Sequence, residues 1–347
     1  MFDSQNKCFV AFRVKMRVQS TNKEVLVMGL LFHNLSNKFS EVADKVYMAH
    51  FDRDPELEKV YDKRRRKRMY EDILYNLSFL EVAYTLKDDR IFREYSVWLL
   101  RLMIHLMPDI GVKTIKKQMI MHYDLLEEAL KETLEEDEFN AVKRLLKQAR
   151  DLTTAYREEA RVSLVNTGKY APIKETYFRY LREKKDKQAV AYIKEVAKQN
   201  ITLEDLYVDV LQAVMTEIGD LWQEQIIGVD EEHYMTSITQ LAMSQFYDVI
   251  FSKESNGNTA LICSVGSELH EMGGRMVSDL LALHGWETTY LGSAVPKKAI
   301  LDYIKTNKVN AIFLSVTMPH HLLECYEIVE EVKKAFPDIR LGVGGRA

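Results

Sequence analysis

The sequence predicts an α plus α/β chain. An N-terminal all-helical module is followed by a four-helix bundle and then by a doubly wound parallel-sheet domain of flavodoxin or Rossmann-like type. Three observations carry this reading. Twelve of the 14 glycines lie after residue 160, nine of them in the last 91 residues, so the front half is nearly free of helix breakers. From 38 to 165, and again from 173 to 252, apolar residues recur at spacings of three and four, the mark of amphipathic helices. From residue 259 short apolar runs alternate with helical patterns, as parallel strands joined by crossover helices require.

Taken in order, residues 1–37 have no clear period: FVAFRVKMRV alternates like a strand, and the remainder of the segment does not. In 38–165, MYEDILYNLSFLEVAYTL, IFREYSVWLLRLMIHLM and TIKKQMIMHYDLLEEALKETL each present one apolar stripe, which predicts a single helical sensor or interaction module. The run DKRRRKR at 62–68 is its one strongly basic stretch, and on a helix such a run is ordinarily a solvated face. VNTGKYAPIKE, with Gly168 and Pro172, predicts a hinge. Residues 173–252 hold four more helices. One opens at Thr202 with an acid three residues later, and another begins with acids in its first turn (VDEEHYM), as the helix dipole favours. KESNGNTA is a linker, and the last domain spans 257–347, with strands TALICSV, ETTYLG, NAIFLSV and IRLGV.

Composition narrows the function classes. A length of 347 residues suffices for two or three domains with cores of their own. Cys8, Cys263 and Cys325 stand far apart, which excludes a disulfide framework and a thiolate zinc site and fits a reducing cytoplasm. No run of about 18 apolar residues exists, and VLVMGLLF is too short for a span or signal peptide, so no membrane is expected. A formal charge of -4 gives no global electrostatic case for nucleic acid.

In a doubly wound sheet, ligands sit beyond the carboxyl ends of the strands. His270 follows the first strand, Ser315 ends the third and Gly344-Gly345 follows the fourth, so all three reach one edge. No G-x-G-x-x-G follows the first strand, which argues against a nicotinamide or flavin site. Glu268 and His270, two apart in an extended loop, can share a side. A carboxylate that accepts the proton of one ring nitrogen fixes the imidazole tautomer and leaves the other nitrogen able to bind a metal. Gly273 and Gly274 remove bulk where a flat ligand would press on the backbone. One histidine cannot hold a bare ion, so the metal has to arrive in a macrocycle. The bland alternative makes Glu268 and His270 ordinary polar loop residues.

The pattern Glu268-x-His270-x-x-Gly273, then 41 residues to Ser315-x-Thr317, then 26 to Gly344-Gly345, resembles the signature of the cobalamin-binding domain that displaces the cofactor's lower base with histidine. By that resemblance His270 is the lower cobalt ligand, Glu268 and Ser315 are its hydrogen-bonding support, and Gly344 and Gly345 make room for the nucleotide tail. Thr317 stands where the family usually has leucine. The helical segment MTEIGDLWQEQIIGVDEEHYMTSI resembles the cap that precedes this domain in methionine synthases, corrinoid carriers and cobalamin sensors. Trp222 with Glu232 and His233 ten and eleven residues on is most similar to the adenosylcobalamin light sensors, where the tryptophan covers the upper face and the Glu-His pair meets the adenosyl group. A tryptophan at a helix end is otherwise ordinary core.

Two departures stand out. Gln223 occupies the place of the histidine that takes the upper position in the light sensors, and VGGRA stops where the family continues through a last strand and helix, so the chain is expected to be C-terminally incomplete.

The front helices lack the winged helix-turn-helix of the regulators, and direct DNA binding is disfavoured. They are weakly similar to helical modules of bacterial sensors that hold a bilin or haem, with His105 and His122 the candidate contacts, although a histidine on a mixed helix is more often packed or solvated. The resulting expectation is a cytoplasmic, non-enzymatic cobalamin sensor and photoreceptor that binds adenosylcobalamin and acts through a homo-oligomer or a regulatory protein partner. The alternative is a corrinoid methyl carrier serving a separate methyltransferase. A mutase subunit ranks below both, because no barrel of about 250 residues is present. A helical scaffold with an orphaned α/β domain is the reading without cobalamin.

Overall fold

The computed structural model describes residues 36–158 and 161–346. The N-terminal segment 1–37 lies outside them apart from Ser36 and Asn37, where the first helix opens. Contacts divide the chain into two compact units that meet in sequence after Glu158.

The first unit is entirely helical: α1 (Ser36–Arg53), the single turn α2 (Leu57–Val60), α3 (Lys63–Thr85), α4 (Asp89–Leu106), α5 (Val112–Lys131) and α6 (Glu136–Ala155). Local chemistry sets the starts. Asp62 accepts from the Arg65 amide at 2.7 Å and Asp88 from the Arg90 amide at 3.0 Å, each satisfying an amide that the helix itself leaves unpaired. Phe92, Leu100, Leu126, Leu145 and Leu146 are fully buried between the helices. Polar groups enter this core too. His50 and His122 are both buried, with rings stacked at 5.2 Å and His50 Nε2 at 3.0 Å from His122 Nδ1. Burial holds both imidazoles neutral, at about 4 for His50 and about 3 for His122. Of the two candidate contacts for a bilin or haem, His122 is thus paired with His50, and His105 is bonded through Nδ1 to the Arg101 carbonyl of its own helix at 2.8 Å.

The second unit opens with a strap, and here the structure differs from the sequence expectation. The Gly168 segment is fastened at both ends. Glu217, buried on a later helix, accepts from Ser163 Oγ (3.0 Å) and the Leu164 amide (2.8 Å) and pairs with Arg161. Buried Lys174 donates to the carbonyls of Leu164 and Thr167. A buried carboxylate and a buried ammonium are tolerable only when saturated in this way, so the turn is held and does not act as a free hinge.

Next come α7 (Ala171–Arg182), α8 (Asp186–Val196), a short helix Leu203–Asp205 running through a π-helical turn Leu206–Leu211 into α9 (Gln212–Gln223), then α10 (Val229–Ser244) and the short α11 (Tyr247–Ile250). Tyr177, Ile193, Leu206, Val210, Val214 and Ile218 form their core. Thr202 caps its helix on the Asp205 amide at 3.1 Å, as the sequence predicts.

The remainder is β1 (Thr259–Ser264), α12 (Met272–Leu283), β2 (Glu287–Tyr290), α13 (Lys297–Thr306), β3 (Ala311–Ser315), a 3-10 turn Pro319–His321, α14 (Leu322–Ala335) and β4 (Arg340–Gly344). The four strands are parallel in the order β2-β1-β3-β4, with Ser264 opposite Ser315 and Ser315 opposite Gly344. The doubly wound parallel sheet is therefore present as expected. β1 is buried over five of its six residues, because helices cover both faces, and this is why it reads as a continuous apolar run. The chain reverses its winding between β1 and β3, so the crevice for a ligand lies at their carboxyl ends. Among the described residues no helix is long and apolar enough to cross a membrane.

Candidate functional site

Three loops meet at the carboxyl edge of the sheet: 265–271 after β1, 316–318 after β3, and the residues after Gly344. Glu268 lies at their centre, 1% exposed. Its Oε1 accepts from His270 Nδ1 at 2.5 Å and from the His270 amide at 3.1 Å; its Oε2 accepts from the amides of Thr317 at 2.8 Å and Met318 at 2.7 Å. Burial alone would raise this carboxyl. The four hydrogen bonds, His270's ring first, override burial and bring it to about 2, so it stays ionised.

An ionised carboxylate only accepts, so His270 Nδ1 has to carry the proton. Its Glu268 bond, and more weakly Glu232, raise the imidazole above its ordinary value, while partial burial and Arg346 oppose this. The other nitrogen, Nε2, makes no hydrogen bond among the described residues, and the side chain is 60% exposed. The loop thus presents an exposed imidazole, held through Nδ1, whose Nε2 lone pair is unused among the described residues. Leu269 beside it is 74% exposed, an apolar surface at the same rim. Among the described residues no group of three or more His, Cys, Asp or Glu could hold a metal ion.

The remaining predicted residues divide. Ser315 closes β3 but makes no hydrogen bond to Glu268 among the described residues; the glutamate reaches past the strand end to the turn amides. Thr317 takes part through its backbone, and Met318, which the sequence pattern does not single out, does the same. Gly273 has open space where a Cβ would stand, as a surface for a flat guest requires, whereas a Cβ on Gly274 would meet the Tyr290 ring at 3.3 Å, so Gly274 is the one packed on the sheet. Gly344 receives the Val316 amide on its carbonyl at 2.7 Å. Gly345, at φ +132°, would put a Cβ 1.7 Å from the Val316 carbonyl oxygen, so its identity has a reason inside the fold.

From the cap, Glu232, Thr236 and Gln240 lie four apart on one face of α10. Thr236 Oγ1 donates to Glu232 at 2.9 Å, and Gln240 donates to Glu271, the residue after His270, at 3.0 Å. This face therefore lies toward the His270 loop, which explains how Glu232 influences that imidazole. His233 bonds Glu232 at 2.5 Å, with its ring 74% exposed. Trp222 ends α9 partly buried against the cap core, and Gln223 beside it is buried. Glu232 and His270 are brought into one neighbourhood; Trp222 is placed by the cap core.

Two family models, each described as a B12 binding domain, match residues 173–247 and 258–347. This part of the chain belongs to the cobalamin-binding domain family. The two matches fall on the helical cap and on the sheet domain, and corrinoid binding is the property they carry. Among solved structures the chain is similar to a monomethylamine corrinoid protein from Methanosarcina barkeri (16% identity, TM-score 0.46, covering 51% of this chain and 85% of that one). It is also similar to a methanol:cobalamin methyltransferase complex from the same organism (15%, TM-score 0.31, 63% and 80%). A third is a cobalamin-binding protein from Desulfitobacterium hafniense DCB-2 (19%, TM-score 0.29, 49% and 82%).

Proposed function

We propose that this chain is a cobalamin sensor that holds the corrinoid with His270 as the lower cobalt ligand. The observation that carries the reading is the Glu268–His270 pair: a buried, fully saturated carboxylate fixes one ring nitrogen and leaves the other outward and unbonded among the described residues. A lone imidazole supplies one donor, and a corrin would supply the further donors that no cluster of described side chains provides. When bound, cobalamin would contribute an organometallic bond that light or chemistry can break. This chain's own residues would orient the ligand (Glu268, with the Thr317 and Met318 amides), leave space for the ring (Gly273) and offer it an apolar rim (Leu269). Gly344 and Gly345 would shape the tail side, Ser315 and Thr317 would line the rim, and Trp222, Glu232 and His233 would face the upper ligand, which we infer to be adenosyl. The sensor role rests on a cap face, Glu232 to Gln240, tied directly to the loop that carries His270.

A second reading is a corrinoid methyl carrier for a separate methyltransferase. The observation in its favour is the exposed His233 together with exposed Ile226 in the turn between α9 and α10 and exposed Val229 at the start of α10, a face accessible to a partner enzyme.

Reconstitution in darkness with adenosylcobalamin and with methylcobalamin, followed by illumination and measurement of molecular mass, separates the two. The sensor is expected to bind adenosylcobalamin and to change mass or shape on illumination. Transfer of a labelled methyl group from the methylcobalamin form to an acceptor in lysate, with no light-dependent change, would establish the carrier instead.

A further inference from the structure

The helical cap and the sheet domain share one apolar interface. Along α12, Met272, Met276, Leu280 and Leu283 form a stripe that packs into the cap core. One ionisable group sits in that stripe. Asp279 is 3% exposed, and among the described residues its carboxylate has a single side-chain partner, the Tyr207 hydroxyl at 3.2 Å from Oδ2. Tyr207 is wholly buried on the π-helical turn Leu206–Leu211, a distortion found mostly where a helix does more than pack. The same hydroxyl also lies 3.4 Å from the Met243 carbonyl of α10.

A phenol has one proton to give, so these two contacts cannot both be donations. If Asp279 is ionised, Tyr207 donates to it, the Met243 carbonyl loses that bond, and a buried charge is left with one hydrogen bond. If Asp279 is protonated, its hydroxyl can donate to Tyr207 and Tyr207 to Met243, and both contacts are satisfied across the interface. We propose that Asp279 is a proton-operated latch between cap and sheet domain: the cap seats firmly when this carboxyl is protonated and loosens when it ionises. Because α12 begins directly after the His270 loop, loosening there changes how the cap sits over the cofactor rim; only this consequence rests on the cobalamin reading.

Burial moves the Asp279 carboxyl up from 3.8 to about 6, with Tyr207 and Arg275 opposing. A carboxyl whose value is raised in the closed interface favours closure below its free value, and that preference is lost as pH rises through about 6. The other groups facing it are Tyr207 on the π turn, Tyr247 on α11, Tyr290 on β2 and Arg275 on α12. Burial raises all three phenols, and a guanidinium stays charged, so none of these changes charge between pH 5 and 7.5. The exposed His284–Glu204 pair, at 3.3 Å, spans the same interface at the far end of α12.

The test uses the full chain without cofactor. Amide hydrogen exchange of residues 206–211 and of α12, corrected for intrinsic rates, should accelerate about tenfold between pH 5 and 7.5. Asp279→Asn, whose amide is a permanent donor to Tyr207, should hold the slow rate at both pH values. Tyr207→Phe should move the midpoint upward, because the bond it removes stabilises the ionised form. A tenfold change that survives in Asp279→Asn overturns the proposal, and so does a wild type without pH dependence. Cobalamin uptake, measured separately on the same preparations, decides the cofactor reading independently of the exchange result.

Discussion

Replacing Glu268 by glutamine tests how the candidate ligand is held. The carboxylate lies at about 2 against an ordinary 4.5, a difference worth roughly 3 kcal/mol to the folded second unit at neutral pH. The sign is that of a depressed carboxyl: this stability is complete above about 4.5 and is lost as pH falls through the folded value. Glutamine keeps the shape but brings a donor amine where two amide donors already point. If its oxygen faces His270, its nitrogen faces the Thr317 and Met318 N–H groups, and two partly buried amides lose their acceptor, at roughly 1–3 kcal/mol each. Both routes give a loss of about 3 kcal/mol. Urea unfolding of the full chain at pH 7, followed through Trp222 and Trp286 after replacement of Trp98 by phenylalanine, reads the second unit. A Glu268→Gln transition within about 0.5 kcal/mol of the parent would refute the reasoning, because it would mean the turn amides do not depend on the carboxylate.

As pH falls from about 6.5 toward 4, buried His50 and His122 take stability from the first unit, because the unfolded chain binds protons they refuse, while partly buried Asp72 and Glu81, raised to about 6 and about 7, add to it; His122→Leu should therefore shift the balance toward greater stability at the acid end than in the parent, read in thermal melts. Gly345→Ala should destabilise the second unit by ~3 kcal/mol or more, read as a lower melting temperature, because a Cβ there falls within bonding distance of the Val316 carbonyl. Glu217→Ala should release the strap at 161–170, seen as trypsin cleavage after Arg161 or Lys169 at a concentration that leaves the parent intact.

The helical front half and the strand-helix alternation are legible in the sequence because glycine placement and apolar period are local properties. The Glu268–His270 pair is equally legible, being two residues of special chemistry in one loop. Features that depend on distant partners are not. The strap has the composition of a hinge, since the group that fastens it, Glu217, lies 53 residues beyond Leu164. The resemblance names the side chains of Glu268 and Ser315 as support for His270; the amides of Thr317 and Met318 that hold Glu268 carry no such signal, because every residue but proline has an amide. Gly345 suggests room for a ligand, while its contact with Val316 appears only once β3 and β4 are side by side. His50 and His122, 72 residues apart on helices of ordinary pattern, give no sign of pairing.

The proposed bond between His270 Nε2 and cobalt is tested most directly by the absorption spectrum of the reconstituted protein. Wild type loaded with methylcobalamin should show the cofactor's lower base displaced and an imidazole in its place, with one bound equivalent per chain. His270→Ala should shift that spectrum to the form lacking an axial nitrogen, or lose the cofactor on gel filtration. An unaltered spectrum in His270→Ala at full occupancy would contradict the account.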